Sequence, residues 1–511
     1  MRQLRRAWRR RVSLFRPRTR GGLVSSWVDV VKEAIRRKPD VPDATPDLQR
    51  LKSALRSCEA GVVASLTRGG NSVGRKLLSR VERRLVKIAT HSGTEYALVI
   101  LKEFLGELRL AWLEARKPTH ELLGNGSIRE GLTHPLTAQL SMAKRALPLP
   151  SERARREAIA KHKEVLLSEV KTDPSILKRA KAFAKTWGSR CPSSAPFHST
   201  SNSACLEYTR REGGFQTYIQ GARTRGYGTV YADMPENIHP LQWELEVAKG
   251  ETLNAAYQDL LDQSVDLPRG KVEMVDEYGL KCRVVTKSQG ALIYVAQSVR
   301  RKLFSGLRKT PEVAPLLRGD LDACLNRYIG SKGKIVSSDL TAATDMFPLD
   351  LVEAITQGLI EAGFLSEAEI LALKRCTGPQ LIQWPGEDDY HTTRRGILMG
   401  LPTTWAYLNL VHLFWWKEAL RAGSEYTSKQ AVFSMFGDDA LITAEEPVIE
   451  AYNSMIKSCG GKLSVGKHAV SSTRAVFLER LLVFEGSRYS ICHGIPIWRR
   501  STKKGRLTQS Q

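Results

Sequence analysis

From Lys334 to Gly461 the chain reads as strand, helix, hairpin and helix, and this succession restricts the fold more than any other stretch. The run "KIVSSD" has strand length and ends at Asp339. In "PLDLVEAITQGLIEAG", Leu351, Ile355 and Leu359 fall on one helical stripe, with Pro348 at the start and Gly363 as the stop. "AVFSMFGDDALIT" is two short apolar runs around Gly437–Asp439, which predicts a hairpin. "EPVIEAYNSMIKSCGG" follows as a helix, with Pro447 early, Ile449, Tyr452 and Ile456 inward and Gly460 at the end. Together these elements predict an α+β architecture in which a mixed sheet is backed on one side by helices. Such a sheet brings Asp339 and the Asp438–Asp439 turn to neighbouring strand ends, although they lie far apart in the chain.

A turn does not need two adjacent acids, so the question is what surrounds them. The 511 residues are enough for several lobes meeting at a cleft. The 78 Lys and Arg outnumber the 53 Asp and Glu, giving a net charge of +25. That excess favours a polyanionic partner, with nucleic acid ahead of an anionic membrane surface. The eight cysteines are scattered, without the paired spacing of a zinc site, and the chain is too long for a disulfide scaffold. The longest apolar run, "LNLVHLFWW", contains Asn409 and His412 and fits a buried helix better than a membrane span. The first twenty residues hold nine arginines and no acid. This start suits an arm on RNA, an organelle-targeting segment or a solubilising tail.

Asp339, Asp438 and Asp439 supply hard oxygen ligands of the kind Mg²⁺ or Mn²⁺ prefers. Without a cation, three gathered carboxylates repel one another and raise their pKa values. Two ions would relieve that repulsion, activate a 3′-hydroxyl and stabilise charge on a transferring phosphoryl group. The competing reading of Asp339 alone is a structural turn acceptor.

"SSDLTAATDMFPLD" (337–350), "RRGILMGLPTTWAYLNLVH" (394–412) and "FGDDAL" (436–441) resemble, in order, motifs A, B and C of viral RNA-dependent RNA polymerases. The wording of A and B most resembles the ourmiavirus-like, or botourmiavirus, branch near the narnaviruses and mitoviruses. The resemblance implies a right-hand polymerase of fingers, palm and short thumb that copies a viral RNA genome from ribonucleoside triphosphates. By that resemblance Asp339 and Asp438 are metal ligands, and Asp439 is the adjacent acid. Asp345 and Asn409 resemble the pair that senses the incoming ribose, by hydrogen bonding to its hydroxyl. Thr403 and Thr404 stand where the family contacts nucleotide, and either also suits a helix cap, but the Thr-Thr pair departs from the common Ser-Gly form. "GLKCRVVTKSQG" (279–290) resembles motif F, with Lys281, Arg283 and Lys287 alternating along an extended run so that they can share a face toward a triphosphate. "GGKLSVGKHAV" resembles motif D. Lys467 is the candidate that protonates departing pyrophosphate, with His468 and Lys462 as competitors. "AVFLERLLVFEG" (475–486) resembles motif E, where Glu479 can orient its neighbours.

The same reading divides the chain into a basic arm (1–48), a mainly helical N-terminal or fingers region (49–190) and fingers with motif F (191–329). Palm motif A (330–350), a fingers insertion (351–394), palm motifs B, C and D (395–475) and a terminal motif E with thumb or tail (476–511) follow. Little chain follows Gly486. The closure is therefore a minimal thumb, the N-terminal region or an additional viral or host protein. RNA template, RNA product and nucleotides are the implied partners, the host cytoplasm the implied location, and mitochondrial targeting the alternative. The rival functions are a noncatalytic RNA-binding replication scaffold and a reverse transcriptase. Intact Asp339 and Asp438 argue against the first, and Gly437 with the Asp345/Asn409 pair against the second.

Overall fold

The computed structural model describes residues 71–492 apart from 125–133, 195–200, 225–233, 235, 424–428 and 465. It also describes residues 50, 51, 54, 55 and 58 and the strands 498–500 and 507–509. The expected basic arm, 1–48, lies outside the described residues.

Two long strands, β1 (Arg269–Glu277) and β2 (Lys281–Ser288), precede β3 (Lys334–Ser338), the strand that leads into Asp339. After them come β4 (Leu381–Gln383), β5 (His391–Thr392), β6 (Val432–Phe436) and β7 (Asp439–Ala444). They are followed by β8 (Ala469–Ser471), β9 (Arg474–Phe477), β10 (Arg480–Glu485) and β11 (Arg488–Ile491).

The central sheet has the order β6-β7-β3-β8. Every pairing in it is antiparallel, so the expected mixed sheet is corrected here. The reason is local: the β6–β7 hairpin docks through β7, which runs against β3. The parallel pair lies elsewhere, between β1 and β4 in the sheet β2-β1-β4-β5.

Helices back the central sheet as their periodicity predicts. Leu349–Glu361 buries Leu351, Ile355 and Leu359, and Glu446–Ser458 buries Ile449, Tyr452 and Ile456. Thr404–Ala419 is apolar nearly all round and is buried among them. The helix Pro174–Gly188, capped by Asp173, joins the same core through Ile176, Ala180, Ala184 and Trp187. Among the described residues no helix is long and apolar enough to cross a membrane.

A separate apolar core gathers the helices Asn71–Ser92 and Thr94–Leu113 with Leu136, Leu140 and Leu147. Ala469, Leu481 and Cys492 belong to that core. The early helices therefore pack against the β8 and β10 end of the molecule, at the start of the sheet β11-β10-β9. The stretch 49–190 is thus divided among three cores: its last helix belongs to the central one, and Leu166 of the helix Glu152–Leu167 joins another with Val272, Ile382 and Leu398.

Candidate active site

The hairpin turn is tight. Phe436 pairs with Asp439, leaving Gly437 and Asp438 at the tip, and Gly437 takes a left-handed φ of 72°. Because Ser338 pairs with Ala440, Asp339 leaves β3 beside the start of β7. The segment after the helix Glu446–Ser458 closes over it. Ser464 N–H donates to Asp339 O at 2.8 Å, and Thr341 N–H to Lys462 O at 2.8 Å. This places Lys467 Nζ 2.6 Å from Asp339 Oδ2. Neither His468 nor Lys462 stands there: His468 Nδ1 lies 3.3 Å from Ser338 Oγ and Lys462 is exposed.

The three carboxylates interact as crowded charges do. Asp438 has solvent access but is ringed by protein, and burial followed by the Asp339 charge raises its pKa. Burial, then Asp438, Asp339 and Glu479, push Asp439 up to about 7. Lys467 opposes the rise in both. Lys281, at the start of β2, is coupled to Asp438 and to Lys467. The structure therefore brings together Asp339, Asp438, Asp439, Lys467 and Lys281.

The oxygen donors suit a hard divalent cation, and their mutual repulsion is the electrostatic condition a cation relieves. Among the described residues, however, no three acidic, His or Cys side chains form a complete metal-holding group. An ion here would draw remaining ligands from water and phosphate oxygens, as Mg²⁺ commonly does.

Asp345 sits in the short turn Ala343–Met346, entered through a left-handed Ala342. The turn is stitched to the motif B loop by Gly396 N–H to Phe347 O and Ile397 N–H to Thr344 O. Among the described residues Asp345 Oδ1 is buried without a hydrogen-bond partner, and burial pushes its carboxyl up to about 7. Such an acceptor can take a donor from water or from a ligand.

Asn409, Thr403 and Thr404 are all held inside the protein. Asn409 is fully buried; its Nδ2 donates to Trp405 O at 2.7 Å and its Oδ1 accepts from Gly437 N–H at 3.1 Å. Thr404 Oγ1 donates to Leu398 O at 2.8 Å, a carbonyl that also accepts from Leu401 N–H within the loop. Thr403 precedes the helix but makes no side-chain cap, and it is buried with Cys376 beside it. These side chains face inward and hold the motif B helix and the hairpin turn.

On β2, Lys281, Arg283 and Lys287 do share a face, but β1 sets acids on it. Arg283 Nε donates to Glu277 Oε1 at 2.8 Å and Lys287 pairs with Glu273. The expected basic row is thus partly neutralised across the hairpin, with Lys281 the member nearest the carboxylates.

Three functional groups escaped the sequence reading. His412, one turn after Asn409, places Nδ1 3.0 Å from Gly437 O and bonds Tyr452 OH through Nε2. Arg395 donates to Met346 O at 2.8 Å and to Gly460 O, tying the Asp345 turn to the end of a neighbouring helix. Lys102, Gly106 and Arg109 form one stripe of the helix Thr94–Leu113, which otherwise carries acids at Glu95, Glu103 and Glu107 and a largely apolar buried face. That spacing was the available signal.

A family model described as mitovirus RNA-dependent RNA polymerase matches residues 198–490. The RNA-directed RNA polymerase of Saccharomyces 20S RNA narnavirus is 34% identical over 463 residues, covering 85% of this chain and 54% of that protein. That of Saccharomyces 23S RNA narnavirus is 31% identical over 431 residues, covering 79% and 45%. The RNA-directed RNA polymerase of Cryphonectria parasitica mitovirus 1 is 25% identical over 232 residues, covering 44% and 27%. The chain spans about half the length of the two narnavirus proteins.

Proposed function

The chain belongs to the mitovirus RNA-dependent RNA polymerase family, and from that premise we propose that it copies a positive-strand viral RNA from ribonucleoside triphosphates by two-metal phosphoryl transfer. The observation that carries this reading is the meeting of Asp339 with the Asp438–Asp439 turn, with Lys467 on Asp339. Asp339 and Asp438 would hold Mg²⁺ or Mn²⁺, with Asp439 supporting them. Bound ions would polarise the reacting phosphate and lower the pKa of the attacking 3′-hydroxyl. Lys467 stands where it can hand a proton to departing pyrophosphate. Lys281 and Arg283 face the phosphates, and Asp345 offers its open oxygen to a ribose hydroxyl. Asn409 supports the catalytic turn through Gly437, while Thr403 and Thr404 support the loop. The wording of motifs A and B supports an assignment to the ourmiavirus-like branch, near the narnaviruses and mitoviruses. On this reading the arrangement is a right hand, with the central sheet as palm, and the expected compartment is the host cytoplasm, with mitochondrial targeting by the Arg-rich start as the alternative.

The test is template-directed extension by Asp339→Asn and Asp438→Asn beside the parent, with RNA binding and thermal unfolding measured on each. Asn keeps the size and removes the charge. Extension should fall by roughly a hundredfold or more while RNA binding persists on dispersed Lys and Arg contacts. Robust extension by both variants would overturn the catalytic assignment. A parent that binds RNA but never extends it would point to the scaffold reading.

A further inference from the structure

We infer that Lys102 and Lys144, from the N-terminal helices, complete with Lys281 and Lys467 a binding site for the triphosphate of the incoming nucleotide and the pyrophosphate it releases. The inference rests on the polymerase reading above and extends the phosphate site beyond motifs F and D. Both residues lie outside the span matched by the family model.

The N-terminal helices reach the site from two directions. At the tip of the β1–β2 hairpin, Gly279 N–H donates to Leu147 O at 2.6 Å and Leu280 N–H to Pro148 O at 2.8 Å. Lys102 Nζ donates to Leu280 O at 3.1 Å, which sets it beside Lys281. On the opposite side Arg109 pairs with Glu479 at 3.1 Å, in the β9–β10 turn. Lys144 lies between these anchors, with its Nζ resting over Gly106, 3.2 Å from where a Cβ would stand. The bare glycine leaves room for that ammonium.

Lys102 feels the charges of Lys281 and Lys467, and Lys144 those of Arg109, Lys102 and Lys467, with Glu479 acting in the opposite sense. Burial and the neighbouring cations lower both, Lys144 to about 8. Among the described residues, neither Lys102 nor Lys144 has a carboxylate in contact. Arg109 is taken by Glu479 and Lys467 by Asp339. Setting two half-buried ammonium groups with no carboxylate in contact beside Lys281 and Lys467 is unfavourable unless an anion lies among them. An oligophosphate fits: it carries several charges along a short chain, and mobile lysines meet it as point charges. Lys281 and Lys467 border both this group and the carboxylates, so the phosphate chain would run from the reacting centre toward the N-terminal helices. RNA backbone phosphate offers the same chemistry, and the test separates the two sources.

The first measurement uses the unaltered full chain. Amine acylation mapped by mass spectrometry, with and without inorganic pyrophosphate, should show Lys102 and Lys144 protected by pyrophosphate. The second compares Lys102→Gln, Lys144→Gln and Lys144→Arg by calorimetric titration with pyrophosphate and by RNA binding across a salt series. Each Gln variant should weaken pyrophosphate binding about tenfold or more, the scale of one charged hydrogen bond, and Lys144→Arg should restore part of it. RNA affinity and its salt slope should stay within about twofold of the parent. Unprotected lysines, or unchanged pyrophosphate affinity in the Gln variants, would overturn the inference. A matching loss of RNA affinity with a shallower salt slope would also overturn it, assigning the lysines to RNA backbone. Because pyrophosphate binding needs no turnover, a failure here is distinct from a failure of the Asp339→Asn and Asp438→Asn experiment.

Discussion

Asn409 and His412 grip the same peptide from one helix: Oδ1 of the first accepts from Gly437 N–H, and Nδ1–H of the second donates to Gly437 O. With Nδ1 protonated, His412 Nε2 accepts from Tyr452 OH, which lies 3.2 Å from Ser338 Oγ. The tip carrying Asp438 is therefore fixed to the central helix and, through Tyr452, to the strand carrying Asp339. Asn409→Ala would leave a buried N–H unpaired and should destabilise the fold by about 1–3 kcal/mol. It should slow incorporation of ribo- and deoxyribonucleotides alike, because the turn rather than the sugar contact is disturbed. Asp345→Asn should instead narrow the ratio of ribo- to deoxyribonucleotide incorporation, since the open oxygen is on Asp345. Single-nucleotide incorporation with both sugar types decides the matter. A larger change of that ratio in Asn409→Ala than in Asp345→Asn would return the ribose contact to Asn409.

The motif B loop and β2 are one working element, because Thr286 N–H donates to Met399 O at 2.7 Å where the loop passes the strand edge. Gly400 has a φ of 126° there, and a Cβ on it would stand 2.3 Å from Thr286 O. Gly400→Ala therefore combines a glycine-only backbone with a clash against main chain, and about 1–3 kcal/mol is expected from the strain alone. Gly330→Ala is the comparison, since its φ of 72° is also left-handed but nothing lies within 4 Å of its Cβ position. Thermal unfolding should show the larger loss for Gly400→Ala; equal losses would mean that the loop moves aside freely. In "RGILMGLPTTWAY" Gly400 reads as a glycine that relieves backbone crowding, but the strand it would crowd lies far back in the chain. The same holds for β2: alternation put Lys281, Arg283 and Lys287 on one face. Glu273 and Glu277 reach that face only through the β1–β2 register, which pairwise hairpin geometry decides.

Across the molecule, the elements of the central sheet and its helices were legible because each follows a local period, and the N-terminal stretch was legible as mainly helical, whereas where its helices dock was not. Their anchors, such as Arg109 to Glu479 across 370 positions, leave no periodic trace in either segment. The whole fold also has a pH dependence set by buried groups on separate elements. His162 and His412 are both lowered to about 4, His162 by burial and His412 by burial against a smaller opposing bond to Gly437. A histidine whose folded pKa lies below its ordinary 6.5 contributes stability that is present above 6.5 and lost as pH falls toward 4. Asp345, pushed up to about 7, acts in the opposite sense: it costs stability at neutral pH and releases it on protonation. A parent unfolding curve mixes these contributions, so the informative quantity is a difference between variants. His162 Nδ1 accepts from Trp384 Nε1–H at 3.1 Å, and a proton on that nitrogen would break the bond. His162→Gln keeps an acceptor and removes the titration. Between pH 6.5 and 4 its stability should fall less steeply than the parent's, by on the order of 3 kcal/mol at full protonation. Denaturant unfolding at several pH values measures the difference directly; parallel curves over that window would mean that His162 takes up its proton as readily in the fold as in the unfolded chain.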